Sequence, residues 1–243
     1  MNVLNSILQK CDNHKKQLAV LIDPDKADAN SIETICSMCN RASVDLIFVG
    51  GSLITHGDLN FTISEIKKNT SIPIVSFPGN HLQISELTDA LLFISLVSSR
   101  NADMIIGQHI QAAPYIRKKN IETISTAYML IEGGSNTTAH YLSNSNPIPR
   151  EKAEIAAATA MAAEMIGYKC IYLEAGSGAK LHVPVAMIAA VKKSISLPIL
   201  CGGGIRDANT AKLMADAGAD VLVIGTAFEH HPALIQEIAE AIK

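Results

Sequence analysis

The chain has 243 residues, 48% hydrophobic and 18% charged, which is enough apolar material for one large core and too much for a disordered segment. Twenty basic against twenty-three acidic residues leave a formal charge of −3, which excludes a sequence-independent grip on nucleic acid. The longest apolar stretch, Ala90 to Val97, falls far short of the roughly 20 residues that span a bilayer. Residues 1–13 also lack the cationic start, apolar block and cleavage site of an export signal. The expectation is a soluble, cytoplasmic protein with at most peripheral membrane contact.

In chain order, apolar and β-branched runs bounded by Gly, Pro, Asp or Ser recur at QLAVLID (17–23), DLIFVGG (45–51), IPIVSF (72–77), ALLFISLV (90–97), ETISTAYMLI (122–131), CIYLEAG (170–176), LPILCGGG (197–204) and DVLVIGT (220–226). Continuous apolar runs indicate strands buried on both faces. Between them lie segments with helical spacing, clearest at 149–167, 183–194, 207–219 and 232–243. Short helices are also expected around SEIKKNT (64–70) and HLQISELTD (81–89). Strands alternating with helices require parallel pairing through right-handed crossovers. Eight such units describe an α/β fold, a (β/α)8 TIM barrel occupying residues 1–243 as a single domain. A doubly wound open sheet would carry GxGxxG after its first strand, where this chain has LIDPDK.

The five cysteines, Cys11, Cys36, Cys39, Cys170 and Cys201, form an odd and scattered set that reads as reduced thiols. Cys36 and Cys39 have zinc-like spacing, but no second pair lies nearby, and their segment, SIETICSMCNRA, is helical in pattern.

In such a barrel the ligand meets the loops that follow the strands. Three consecutive glycines, Gly202, Gly203 and Gly204, follow the seventh strand, and Gly225 with Thr226 follows the eighth. Backbone without Cβ can approach an anion closely, so this is a phosphate-cradle pattern. Helix starts at Asp207 and near Phe228 would add partial positive charge, and the Ser177 and Thr226 hydroxyls can donate to the same oxygens. The alternative is that these glycines only make tight turns. Asp23 and Ser52 end neighbouring strands, so a carboxylate and a hydroxyl can converge on a hard cation. Magnesium suits such a seat because it takes its remaining ligands from water and substrate phosphate. On its own Asp23 reads equally as a turn residue before Pro24. Lys26 could add positive charge or simply be solvated.

Glu174 stands beside the cradle as the acid/base or hydroxyl-binding candidate, against the alternative of a buried ion-pair partner. His81, His109, His140, His182 and the pair His230/His231 share no metal-ligand spacing and read as surface or capping residues. Ser177 with Lys180 matches SxxK, but without the accompanying SDN or KTG.

Together, LIDPDK, the GGS after the second strand, SFPGN, AYMLIEGGSNTTAHYL with NPIPREK, YLEAGSGA, CGGGIR and GTAFE resemble the geranylgeranylglyceryl phosphate synthase family, whose relatives include heptaprenylglyceryl phosphate synthases. The segment after the fifth strand is closer to the group that uses geranylgeranyl donors. The resemblance implies transfer of a long isoprenoid from its diphosphate to the 3-hydroxyl of sn-glycerol 1-phosphate, with release of diphosphate. It also implies that Asp23 and Ser52 hold Mg2+; Asp23 is then catalytic through its metal, and Glu174 could orient and deprotonate the glycerol hydroxyl as the second catalytic residue. Glycerol 1-phosphate would be bound by Tyr172, Leu173, Glu174, Ala175, Gly176, Ser177, Gly178, Gly203, Gly204, Gly225 and Thr226. A homo-oligomer is a further implication, for which the Ala- and Met-rich segment AAATAMAAEM offers either a subunit contact or ordinary packing.

The prenyl chain would need an apolar groove, expected near strands two to four, although LLFISLVSS and MIIGQHI read first as ordinary core. Other readings are a sugar-phosphate or flavin enzyme on the same phosphate loops, or a catalytically silent phosphate-binding barrel.

Overall fold

Each of the eight apolar runs contains a strand, and all pair in parallel. In order they are β1 (Gln17–Ile22), β2 (Leu46–Val49), β3 (Ile74–Ser76), β4 (Ala90–Leu96), β5 (Thr123–Leu130), β6 (Cys170–Glu174), β7 (Ile199–Gly202) and β8 (Val221–Ile224). They pair in sequence order, and β8 returns to β1 through the register Gln17↔Val221 to Val20↔Ile224, closing a (β/α)8 barrel. The computed structural model describes residues 2–225, 228, 231 and 233–243.

The period-two alternation of strand side chains divides the core into two layers. On β6, Cys170 and Tyr172 point into the barrel, joining Phe48, Val75, Leu92, Leu200 and Val223. Ile171 and Leu173 point outward, beneath the helices.

The helices are α1 (Val3–Asp12), α2 (Ala29–Arg41), α3 (Leu59–Asn69), α4 (Gln108–Lys119), α5 (Thr138–Ser143), α6 (Ala153–Ile166), α7 (Val185–Ser194), α8 (Ala208–Asp216) and α9 (Leu234–Ile242). Asp28, Asp58 and Asp207 cap α2, α3 and α8, each accepting from a backbone N–H three residues on. Cys36 and Cys39 are fully buried against the strands on the inner face of α2. Buried Ala156, Ala160 and Ala163 seat α6 on the barrel, while Met161 and Met165 face outward.

The helix expected around 81–89 does not form. Residues 77–89 between β3 and β4 are turns and extended chain, opened by Pro78 and Gly79 and held by local polar bonds. Gln83 Oε1 accepts from the Gly79 N–H at 2.9 Å, Ser85 Oγ from the Leu87 N–H at 3.1 Å, and Thr88 Oγ1 from the Ser76 N–H at 3.1 Å. Such side chains compete with helical bonding. The barrel wall is therefore one helix short beside α4.

Two features close the opposite end. Helix α1 places Val3 and Ile7 in the inner core, and its first N–H groups, on Val3 and Leu4, each donate to the Glu122 carboxylate at 2.9 Å. Carboxylates just before strands also accept from neighbouring strand starts: Asp45 from Leu18 N–H, Asp89 from Ile74 N–H and Asp220 from Ile199 N–H. Asp220 is 6% exposed and is paired with Lys192 at 2.8 Å. Replacing it by Ala leaves an unpaired backbone donor and an uncompensated lysine, so Asp220→Ala should lower the unfolding free energy by about 3 kcal/mol in urea titration. A loss below about 1 kcal/mol would show that this end of the barrel does not depend on the carboxylate.

Candidate active site

A cavity of about 670 Å3 opens at the C-terminal end of the strands, where barrel enzymes place their chemistry. One of its walls carries Asp23, Lys26, Gly51 and Ser52, and another carries Tyr172, Glu174, Gly176, Ser177, Gly178, Gly203, Gly204, Arg206 and Gly225. The early and late strand ends therefore share a single opening. Thr226 lies outside the described residues, as do the neighbours that would define a helix start at Phe228.

Strand alternation sorts the residues of β6. Tyr172 and Glu174 reach the cavity, whereas Leu173 and Ala175 are buried in the strand–helix layer and are not on its wall. The run Tyr172–Gly178 thus contributes side chains at alternate positions and backbone after Ala175. The α8 N-terminus also departs from expectation. The Asp207 carboxylate caps it, accepting from Thr210 N–H and Oγ1 at 2.8 Å each. An anion here would meet the glycine backbone and the Arg206 side chain, whose Nη2 donates to Ala179 O at 2.9 Å. Arg206 stands two residues after Gly204 in CGGGIR, so the charge beside the glycines is written in the sequence.

Gly203 shows why the cradle needs glycine. Its φ is +81°, and a Cβ there would lie 2.4 Å from Glu174 Oε1 and 2.6 Å from the Gly176 nitrogen. The two glycine loops and Glu174 are in close contact and lock one another in place.

Glu174 is only 6% exposed. Burial raises its pKa from 4.5 to about 7, although the Gly176 N–H donating to Oε1 at 2.6 Å and the nearby Tyr172 hydroxyl work against the shift. The Tyr172 hydroxyl faces the same carboxyl; it is buried and makes no hydrogen bond of full geometry. An unsatisfied buried hydroxyl beside a neutralisable carboxyl suits a site that a polar ligand completes. Rings gather around it. Phe77 stacks on Tyr172 at 5.3 Å between centroids, and Tyr128 lies 5.1 Å from Tyr172. All three line the cavity, a concentration unexpected in a chain with 4% aromatic residues.

The two aspartates of LIDPDK have different tasks. Asp25 accepts from the N–H groups of Thr55, His56 and Gly57 and from Thr55 Oγ1, at 2.9, 3.1, 2.6 and 2.8 Å. Desolvation would raise its pKa, but these donors outweigh it and hold the carboxylate well below its ordinary range. Asp25 therefore clasps the loop after β2 to the loop after β1. That clasp brings Gly51 against Asp23, where a Cβ on Gly51 would lie 3.5 Å from Asp23 Oδ1. Among the described residues no three His, Cys, Asp or Glu side chains come together. Asp23 with Ser52 is an oxygen-only, low-count donor set that suits Mg2+ sharing its coordination with substrate phosphate.

The cavity continues as an apolar branch. Ile84, Leu91, Phe93, Ile94 and Met104 line it, with Gln108, His109, Ala112 and Ile116 from one face of α4. Leu91, Leu92, Phe93 and Ile94 of LLFIS and Met104, Gln108 and His109 of MIIGQH, expected as ordinary core, thus supply cavity wall where the β3–β4 helix is missing, whereas Ile106 does not line the cavity. His109, expected at the surface, is 8% exposed. Its Nε2 lies 3.1 Å from Ser95 Oγ, which itself donates to Ile105 O. Burial lowers the pKa of the ring, so it packs there as neutral imidazole.

Residues 11–242 match the PcrB family. A geranylgeranylglyceryl phosphate synthase of Chitinophaga pinensis is 45% identical over 99% of this chain and 95% of its own length. One from Methanosphaera stadtmanae is 41% identical over 99% and 98%. The crystal structure of (S)-3-O-geranylgeranylglyceryl phosphate synthase from Thermoplasma acidophilum in complex with sn-glycerol-1-phosphate superposes with a TM-score of 0.94 at 34% identity, covering 100% of this chain and 99% of that one. An N-acetylmannosamine-6-phosphate 2-epimerase from Clostridium perfringens, at 15% identity and a TM-score of 0.57 over 89% of each chain, shares the fold alone. With a family match spanning almost its whole length and relatives above 40% identity covering nearly all of it, this chain belongs to the PcrB family, the family of the geranylgeranylglyceryl phosphate synthases.

Proposed function

We propose that this cavity joins a geranylgeranyl group to the 3-hydroxyl of sn-glycerol 1-phosphate through an ether bond, with diphosphate as the leaving group. The observation that carries this reading is Glu174, a buried carboxyl with a pKa near 7 that sits between the glycine loops and the apolar branch of one cavity. A phosphate on the backbone of Gly176, Gly178, Gly203, Gly204 and Gly225, with Arg206 supplying charge, would hold the glycerol so that its far hydroxyl reaches Glu174. Anchoring one end of the acceptor while orienting the other removes much of the entropy cost of the encounter.

Asp23 and Ser52 would hold the magnesium, which supplies Lewis-acid stabilisation to the departing diphosphate when bound. Lys26 on the same wall adds positive charge toward that group. As the allylic C–O bond breaks, its electron pair leaves with the diphosphate and positive charge develops on the prenyl carbon. The faces of Phe77, Tyr128 and Tyr172 are negative in their quadrupole and stabilise such charge. The glycerol oxygen forms the new C–O bond, and its proton passes to Glu174. Oε1 is engaged by the Gly176 N–H, so Oε2, beside the Tyr172 hydroxyl, takes the proton. The apolar branch holds the tail and keeps water from capturing the cation.

Glu174→Gln keeps the shape and removes the base. Turnover with geranylgeranyl diphosphate should fall by a factor of about 100 to 10,000, with KM for glycerol 1-phosphate little changed. The acidic limb of the wild-type kcat/KM profile, centred near pH 7, should vanish with it. Activity within a few fold of wild type would remove Glu174 from the chemistry.

Stability should carry the same signature. Between pH 4.5 and about 7 the folded protein keeps a proton that the unfolded chain has released, so this group's contribution to stability falls as pH rises. Urea unfolding at pH 5 and pH 8 should show wild type losing about 2 to 3 kcal/mol more than Glu174→Gln over that interval.

Asp23→Asn should raise the magnesium concentration giving half-maximal activity by about tenfold or more, with Ser52→Ala producing a smaller shift. An unchanged magnesium dependence in Asp23→Asn would place the ion elsewhere.

A further inference from the structure

Helix α4 and the turn before it carry large apolar residues toward solvent as well as residues that line the cavity. The inner side of α4, Gln108, His109, Ala112 and Ile116, lines the cavity. On its outer side Ile110 is 66% exposed, and one turn earlier, in the π-helical turn Asp103–Gly107 that leads into α4, Ile106 is 55% exposed. Leu82 is 80% exposed in the β3–β4 connection, and the neighbouring His81 N–H bonds to Gln108 Oε1 at 3.1 Å, which brings that connection against the same turn. A helix packed on a barrel ordinarily turns polar residues outward. Leu82, Ile106 and Ile110 are thus three large exposed aliphatic side chains on elements that meet at Gln108, and such exposure calls for a partner.

Charge identifies that partner. Arg100 precedes the turn, and Arg117, Lys118 and Lys119 fill the last turn of α4. The nearby carboxylates are Asp103, which accepts from Gln108 Nε2, and Glu86, which is paired with Lys119 at 2.5 Å. No ion pair of Arg100, Arg117 or Lys118 occurs among the described residues, so the patch is basic on a chain of net charge −3. An apolar stripe fringed by lysine and arginine matches the boundary between headgroups and acyl chains of an anionic bilayer.

Position supplies the second argument. The patch is the outer side of the wall whose inner side forms the apolar branch of the cavity, beside the gap left by the missing β3–β4 helix. We propose that Leu82, Ile106 and Ile110, with Arg117 and Lys118, form a docking surface for an anionic lipid bilayer, through which a prenyl donor enters the branch and the ether product leaves without crossing water. This rests on the prenyl-transfer reading, since only a substrate with a long apolar tail needs such a passage. No helix among the described residues is long and apolar enough to cross a membrane, so attachment would be reversible and interfacial.

The test is sedimentation of the full-length protein with vesicles of equal parts phosphatidylglycerol and phosphatidylcholine, and with vesicles of phosphatidylcholine alone. Wild type should sediment with the anionic vesicles, much less with the neutral ones, and less at high salt. Ile106→Glu with Ile110→Glu should reduce vesicle partitioning at least tenfold, whereas Leu213→Glu, at an exposed position on α8, should not. Equal partitioning of wild type and the double variant, or no binding by wild type, would overturn the proposal. So would a wild-type dimer that the double variant converts to monomer without loss of vesicle binding, since the face would then be a subunit contact.

A parallel assay with detergent-dispersed geranylgeranyl diphosphate separates this from the reaction itself. The double variant should turn over at the wild-type rate there. Failure of wild type in that assay would reject prenyl transfer, whatever the vesicles show.

Discussion

The arrangement of the site depends on the burial of one carboxyl group at the end of β6. Glu174 is surrounded by Tyr172, by the backbone of Gly176 and by Gly203, whose missing side chain leaves the space that Oε1 occupies. That enclosure is the physical cause of the raised pKa. It also couples the carboxyl to the glycine loops: a Cβ at Gly203 would push the carboxyl aside. The proposed base and the proposed phosphate seat therefore depend on one packing arrangement.

The opposite wall is organised by a different carboxylate. Asp25 is bound by four donors from residues 55–57, and this clasp brings the loop after β2 against Asp23. The DPDK sequence therefore contains one aspartate, Asp25, that holds the two loops together and a second, Asp23, that lines the cavity. At the other end of the barrel, Asp45, Asp89, Asp220 and Glu122 bind backbone amides. Fold-stabilising carboxylates and chemical ones are separated by the length of a strand, as expected for this architecture.

The barrel was legible because each strand is buried on both faces, and a continuous apolar run such as DVLVIG has few other structures to adopt. The start of α8 is legible as Asp207, which caps it. Glycines after β7 mark a close backbone approach to Glu174 and Gly176 at the cavity wall, because such an approach leaves a trace in residue type. Local pattern failed where distant contacts decide. HLQISELTD carries a helical spacing but spends its Gln, Ser and Thr side chains on nearby backbone. Phe93 and Met104 read as core because cavity wall and core use the same residues; only the absence of a helix across from them makes the difference. Leu173 and Ala175 belong to the same run as Tyr172 and Glu174, and only the alternation along β6 turns them away from the cavity. The aromatic cluster of Phe77, Tyr128 and Tyr172 draws on three separate strand ends and has no local signature.

The most direct test of this account is the carboxyl titration of Glu174 in the folded, ligand-free protein, followed by carbon-13 NMR and assigned by its loss in Glu174→Gln. Enclosure by Tyr172 and the glycine loops predicts a midpoint near pH 7. A midpoint near 4.5 would show an ordinary solvated carboxylate and contradict both the base assignment and the packing that supports it.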